Sequence, residues 1–187
     1  MIEIIPNWHP VFAHFTVGLL SISSLLFVVG VLAPATAAWK EKCLIVARWN
    51  LWMGAIITIG TVLAGWQAYN TVAHDGPSHA AMTDHRNWAL VTATLFMALG
   101  LWAFISRKTQ QMGAIFILLI IVAAGLLATT GFKGGEAVYR YGLGVLSLPE
   151  VSRDGGHGSH DHSDEGHGPT EPVMSDGSED DHGNHDH

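Results

Sequence analysis

The sequence predicts an all-α integral membrane protein, an up-down four-helix bundle followed by a disordered, acidic, histidine-rich C-terminal tail. Three observations lead there. Four stretches, each near the length needed to cross a bilayer, contain no charged residue. Only 13% of the 187 residues are charged, about half the usual globular share, while the apolar content of 49% is ordinary. Ten of the sixteen acidic side chains lie between Asp154 and Asp186, so the formal charge of -7 belongs to the tail.

The spans fall at residues 11–33, 49–70, 87–106 and 112–132, within a transmembrane domain over 1–148. A hydrocarbon core offers no partner to backbone amides, so stretches this long and apolar must close their own hydrogen bonds as helices. The glycines inside them suit close helix–helix approach. The opening segment, MIEIIPNWHP, lacks the basic region of a signal peptide, and the apolar stretch behind it is too long for one. Lys40, Lys42 and Arg48 lie between spans one and two, and Arg107 and Lys108 between spans three and four. The positive-inside rule therefore places those connections in the cytoplasm and both termini outside it, with a loop at residues 74–86 also outside. Most of the seven tryptophans fall near span ends, where amphipathic rings meet the interface.

After the fourth span, GFKGGEAVYRYGLGVLSL suggests a turn and then an interfacial segment. Residues 149–187 hold almost nothing apolar and cannot offset chain entropy by burial, so they are expected to be disordered. Within them His157, His160, His162 and His167 stand among carboxylates, a composition that chelates zinc, copper or nickel or simply solubilises the chain. Cys43 is the single cysteine, which excludes an internal disulfide and the Cys/His spacings of zinc modules. The acidic balance argues against a nucleic-acid partner.

Five histidines lie outside the tail, and all map to one membrane face: His9, His14, His74, His79 and His85. Helices one and three stand diagonally across an up-down bundle. Adjacent helices about 8 to 10 Å apart leave little room for a porphyrin, and a diagonal pair leaves more. On that reasoning His14 and His85 are the expected ligands of a b-type haem near the outer face, since imidazole is a good haem-iron ligand and an ionisable group inside a span is commonly functional. His9, His74 and His79 are the candidates for a copper or zinc site, with His157, His160, His162 and His167 of the tail feeding it. The plain alternative for each is a solvated or interfacial histidine, and His9 before Pro10 suits a helix start.

The segments HPVFAHFTVGLL at 9–20 and GGEAVYRYGLGV at 134–145 resemble a bacterial membrane family catalogued as domain of unknown function 2231, over roughly residues 6–148. The family motif runs closer to HPxxVHFPIxLL. Here Ala13 replaces the valine and Thr16 the proline, while both histidines are retained. The resemblance implies a four-helix membrane domain in a bacterial inner membrane. Fusion of some members to Rieske iron-sulfur or c-type cytochrome modules implies a place near electron transfer.

Three functional readings follow. The first is a small haem b protein passing electrons between membrane and periplasmic redox partners. The second is a copper- or zinc-binding membrane protein. The third is a cofactor-free subunit of a larger membrane complex. An enzyme is not expected, because phosphate-binding glycine loops, GxSxG and HExxH are absent. No charged residue lies deep in a span, so transport through one bundle is not expected either, though a homo-oligomer could supply what one chain lacks.

Overall fold

The computed structural model describes residues 7–108 and 113–145, all within the unit spanning 1–149. They form α1 (His9–Leu32), α2 (Lys40–Thr71), α3 (Gly76–Ile105) and α4 (Ala114–Tyr139), with a single 3-10 turn at Ser106–Lys108, and among the described residues there is no strand. All four helices are long and apolar enough to cross a membrane. Their 24 to 32 residues give about 36 to 48 Å at 1.5 Å per residue, more than a hydrocarbon core of roughly 30 Å, so their ends project from it. Their outward faces carry large apolar side chains such as Leu32, Leu63, Ile105 and Leu118, as lipid-facing surfaces should.

Three boundaries differ from the sequence expectation. Absence of charge marks where lipid can lie, whereas hydrogen bonding decides where a helix stops. α2 already begins at Lys40 and runs through its charged first turns. The expected loop at 74–86 is mostly helix. Asp75 caps α3 by accepting from the Ser78 amide at 2.9 Å, the Ser78 hydroxyl reciprocates to the Asp75 amide, and Pro77 occupies the first turn. That capping box starts α3 at Gly76, so His79 and His85 are helical residues. α4 likewise passes through Gly131, Gly134 and Gly135 to Tyr139. It ends where Gly142, at φ 64°, lets its amide meet the Val138 carbonyl and the Leu143 amide meet that of Ala137. The expected tail lies outside the described residues.

α1 packs most extensively on α2 and α3 on α4, with α2–α3 and α1–α4 contacts closing the ring. The core is built from Leu20, Phe27, Leu51, Phe96, Phe116 and Ile120, and Phe27 meets Phe116 edge-on at 5.3 Å. Polar side chains pin the hairpins. Ser23 donates to the Ala47 carbonyl at 2.8 Å, and Thr16 bonds Thr61 at 2.7 Å, at a position where the family motif has proline. Thr92 bonds Thr130 at 2.8 Å.

The two hairpins repeat one pattern. Thr16, Leu20, Ser23, Ser24 and Phe27 are buried on α1, and Thr92, Phe96, Leu99, Gly100 and Ala103, each 76 positions later, are buried on α3. Ala47, Leu51, Gly54 and Thr58 are buried on α2, and Phe116, Ile120, Ala123 and Leu127, each 69 positions later, are buried on α4. Since α1 and α3 run the same way, this is a parallel repeat about an axis along the bundle.

Candidate functional site

The repeat brings two histidines together at one end of the bundle. His9 lies seven residues before Thr16, and His85 seven residues before Thr92. On the partner helices Gly65 follows Thr61 by four residues, and Gly134 follows Thr130 by four. At 3.6 residues per turn both spacings keep each set on one helix face. Each histidine ring lies against the glycine of the facing helix. A Cβ on Gly65 would stand 2.9 Å from His9 Nδ1, and one on Gly134 would stand 3.0 Å from His85 Cε1. Glycine at these two positions therefore makes the space that the rings occupy.

The two rings face each other across the repeat axis, with centroids 6.3 Å apart and planes at 76°. His9 Nδ1 meets the Thr61 carbonyl at 3.1 Å. A carbonyl only accepts, so His9 carries its proton on Nδ1 and keeps a lone pair on Nε2. The Thr130 backbone, repeat-mate of Thr61, lies within electrostatic reach of the His85 ring. His85 Nδ1 is nevertheless buried without a hydrogen-bond partner. Around the pair, Lys133 bridges Asp84 at 2.9 Å and Glu136 at 3.7 Å, and Arg140 holds Glu136 at 2.7 Å. On the outer face between α2 and α3, an open apolar groove of about 340 Å³ is lined by Thr58, Val62, Leu63, Leu90, Ala93 and Met97.

His14 is not part of this arrangement. Its side chain lies on the exposed face of α1, with Nδ1 donating to the Pro10 carbonyl at 2.6 Å. Its position in the second hairpin is taken by Leu90, and the diagonal partner of His85 is His9 instead of His14. The reason is helical phase, since two residues turn the chain about 200° and put His14 opposite the buried Thr16. His74 and His79 form a separate exposed cluster where α2 meets α3. Beside it, the Ser78 hydroxyl, helped by the Ser78 amide, holds the Asp75 carboxyl below its usual range. His157, His160, His162 and His167 lie outside the described residues.

The sequence reading missed Thr61, Gly65, Thr130 and Gly134. The signal was present as HxxxxxxT, once per hairpin, and as the matching TxxxG of Thr61–Gly65 and Thr130–Gly134.

The sequence profile of a family described as a predicted membrane protein, DUF2231, matches residues 6–147. The chain belongs to that family. The matched region takes in all four helices and both histidines of the facing pair, so the DUF2231 domain and the four-helix bundle coincide. No curated protein and no solved structure matches the chain significantly.

Proposed function

We propose that this DUF2231 protein binds one b-type haem between its two hairpins, with His9 and His85 as axial ligands, and serves as a membrane electron carrier. The observation that carries the reading is the facing histidine pair on the repeat axis. Two imidazole nitrogens each about 2 Å from one iron put their ring centroids roughly 6 Å apart, and the observed separation is 6.3 Å. A porphyrin supplies four iron ligands itself and needs two from the protein. Zinc in a structural site takes four protein ligands, and among the described residues no group of three His, Cys, Asp or Glu side chains is placed to hold a metal. Ligand number thus favours haem over zinc.

The donor set also fits. The Thr61 carbonyl fixes the His9 tautomer and leaves Nε2 free, which is the usual arrangement for a metal-bound imidazole. The orphaned His85 Nδ1 beside the Thr130 backbone has the same means of tautomer control within reach. Lys133 and Arg140 are cations suited to a porphyrin's carboxylates.

When bound, haem supplies a reversible one-electron iron centre. The chain's part is to hold two neutral imidazoles, exclude water through Gly65, Gly134 and the threonine pairs, and set the site's depth. His9 opens α1, so the site lies close to one bundle end, far from the other along helices of about 36 Å or more. A single centre there exchanges electrons with partners reached from that side, a lipid-soluble donor or a water-soluble redox protein. By the positive-inside rule that is the face away from the cytoplasm of an inner membrane.

The test is a dithionite-reduced minus air-oxidised spectrum of full-length protein expressed with haem supply, beside His9→Ala, His85→Ala and His14→Ala variants. The expected result is a b-type spectrum in the wild type and in His14→Ala, lost in His9→Ala and His85→Ala. A wild type without a Soret band ends the proposal, and a band that survives both His9→Ala and His85→Ala refutes the ligand assignment.

A further inference from the structure

The open groove between α2 and α3 has a counterpart. The repeat relates the α2–α3 edge to the α1–α4 edge, the two edges along which the hairpins meet. Leu90, Thr94 and Met97 of the groove answer to His14, Gly18 and Ser21, each 76 positions earlier, and Val62 answers to Gly131, 69 positions later. The α1–α4 edge therefore carries smaller side chains at three of these positions and an imidazole at the fourth. All four of its residues are exposed, and a Cβ added at Gly18 or Gly131 would meet nothing within 4 Å. An outward trough follows along the apolar length of α1 and α4, with His14 toward its outer end.

His14 sets the chemistry of what lies there. Its Nδ1 donates to the Pro10 carbonyl at 2.6 Å, so Nε2 holds a lone pair and accepts only. Among the described residues that nitrogen has no hydrogen-bond partner. An occupant must therefore donate. The phosphate and ester oxygens of a phospholipid accept only, and a second copy meeting the first about a two-fold axis would set one Nε2 lone pair against its equal. A quinol meets each condition. Its hydroxyls donate, its flat ring suits a trough floored by glycine, and its isoprenoid tail belongs in the apolar length below. His9 lies five residues before His14 on the same helix, a rise of about 7.5 Å, so a ring at His14 sits close to the proposed haem.

We infer that the α1–α4 trough docks a lipid-soluble quinol, one hydroxyl donating to His14 Nε2, and that this quinol is the donor to the haem. Docking stands on His14 and the trough, whereas the role as donor rests on the haem reading. Oxidation of a quinol to a quinone breaks two O–H bonds and releases two electrons and two protons. One electron goes to ferric iron in each of two turnovers, with the iron re-oxidised by the redox partner between them. One proton passes each time to His14 Nε2 and then to water at the outer face.

The first readout needs no haem. Full-length protein in detergent is treated with diethyl pyrocarbonate with and without decylubiquinol, and the modified histidines are read by peptide mass spectrometry. Decylubiquinol should slow modification of His14 by about fivefold or more and leave exposed His74 and His79 unchanged. Decylubiquinone, whose head accepts only, should protect it less. Gly18→Leu keeps His14 but fills the trough where a side chain meets nothing, and should abolish the protection. In haem-loaded protein, His14→Leu gives α1 the side chain that α3 carries at Leu90, and should slow reduction by decylubiquinol about tenfold or more while dithionite still reduces the haem fully. Absence of protection in the wild type, or protection unaltered by Gly18→Leu, overturns the site. Equal protection by n-decanol overturns the quinol in favour of any lipid alcohol, and unchanged reduction in His14→Leu overturns its part as donor. Protection of His14 in a protein that takes up no haem would keep the docking site and end the haem reading.

Discussion

Gly134→Ala is the sharpest test of how the histidine pair is held. The added Cβ would stand 3.0 Å from His85 Cε1 and 3.4 Å from Nδ1. Carbon atoms in contact prefer about 3.5 to 4.0 Å, so the ring must retreat by roughly 0.5 Å or the helices must part. Overpacking of this kind costs about 1 to 3 kcal/mol, while replacing glycine by alanine inside a helix recovers up to about 1 kcal/mol. The net expectation is a loss of about 0 to 2 kcal/mol. Gly125, on the same helix, supplies the control, because a Cβ there meets nothing within 4 Å. Gly125→Ala should therefore gain about 0.5 to 1 kcal/mol, and the two variants should move in opposite directions. The assay is thermal unfolding in one detergent, paired with haem loading by absorbance. Displacing a ligand ring should weaken loading by about 10 to 100-fold, as loss of outer-shell support does. Gly65→Ala, whose Cβ would stand 2.9 Å from His9 Nδ1, should behave as Gly134→Ala does. If Gly134→Ala matches Gly125→Ala in stability and the wild type in haem content, the ring is not wedged against α4 and the argument fails.

Thr92→Val removes the buried hydrogen bond to Thr130 and should cost about 1 kcal/mol in detergent unfolding, whereas Thr94→Val, which breaks only an exposed bond within its own helix, should cost nothing measurable. Phe27→Ala empties a fully buried position against Phe116 and should cost about 3 kcal/mol or more by the same assay, with haem content little changed because the site is at the other end of α1. Asp75 titrates below its usual range because Ser78 bonds the charged form, so its contribution to the start of α3 is complete above the unfolded carboxylate pKa and is lost as pH falls through the lower folded value. Hydrogen exchange of the amides of residues 78–80, corrected for intrinsic rates, should report that fraying at acidic pH, and Asp75→Ala should show it at neutral pH.

Most of the fold was legible because hydropathy reports lipid directly. Four uncharged stretches gave four spans, and their order gave the up-down bundle. Helix ends were less legible, since α2 continues into Lys40–Arg48 and α3 begins at Gly76 for reasons of backbone capping that hydropathy does not sense. His85 was expected to be a ligand from its place near the start of a span on the diagonal helix, and its ring meets that of His9. His14 was preferred to His9 because it lies deeper in the apolar stretch, yet depth says nothing about which way a side chain faces. The phase was recoverable, since His9 and Thr16 share a face at a separation of seven, as do His85 and Thr92. Gly65 and Gly134 gave no signal alone. They acquire meaning only as a pair, each four residues beyond a threonine on the helix that faces a histidine.

The repeat also constrains stoichiometry. Two histidines stand at equivalent positions of two hairpins and meet across the axis that relates them. On the proposed reading they share one ligand, which makes one haem per chain the expected stoichiometry. The same axis shows where the hairpins have diverged, because His14 answers to Leu90, Trp8 to Asp84, Ala64 to Lys133 and Gln67 to Glu136. All the charges of that comparison fall on the α3–α4 side, where Asp84, Lys133, Glu136 and Arg140 are linked by ion pairs. A symmetric pocket holding a symmetric ligand has no intrinsic direction for approach of a partner. The charged rim of one hairpin supplies that direction, so on the proposed reading a redox partner steered by electrostatics should meet the α3–α4 side, with a rate that depends on ionic strength. Asp84→Asn together with Glu136→Gln leaves the rim its two cations and no anion, and should change the steepness of that salt dependence in stopped-flow electron transfer. A salt dependence as steep as in the wild type would place the partner elsewhere on the bundle.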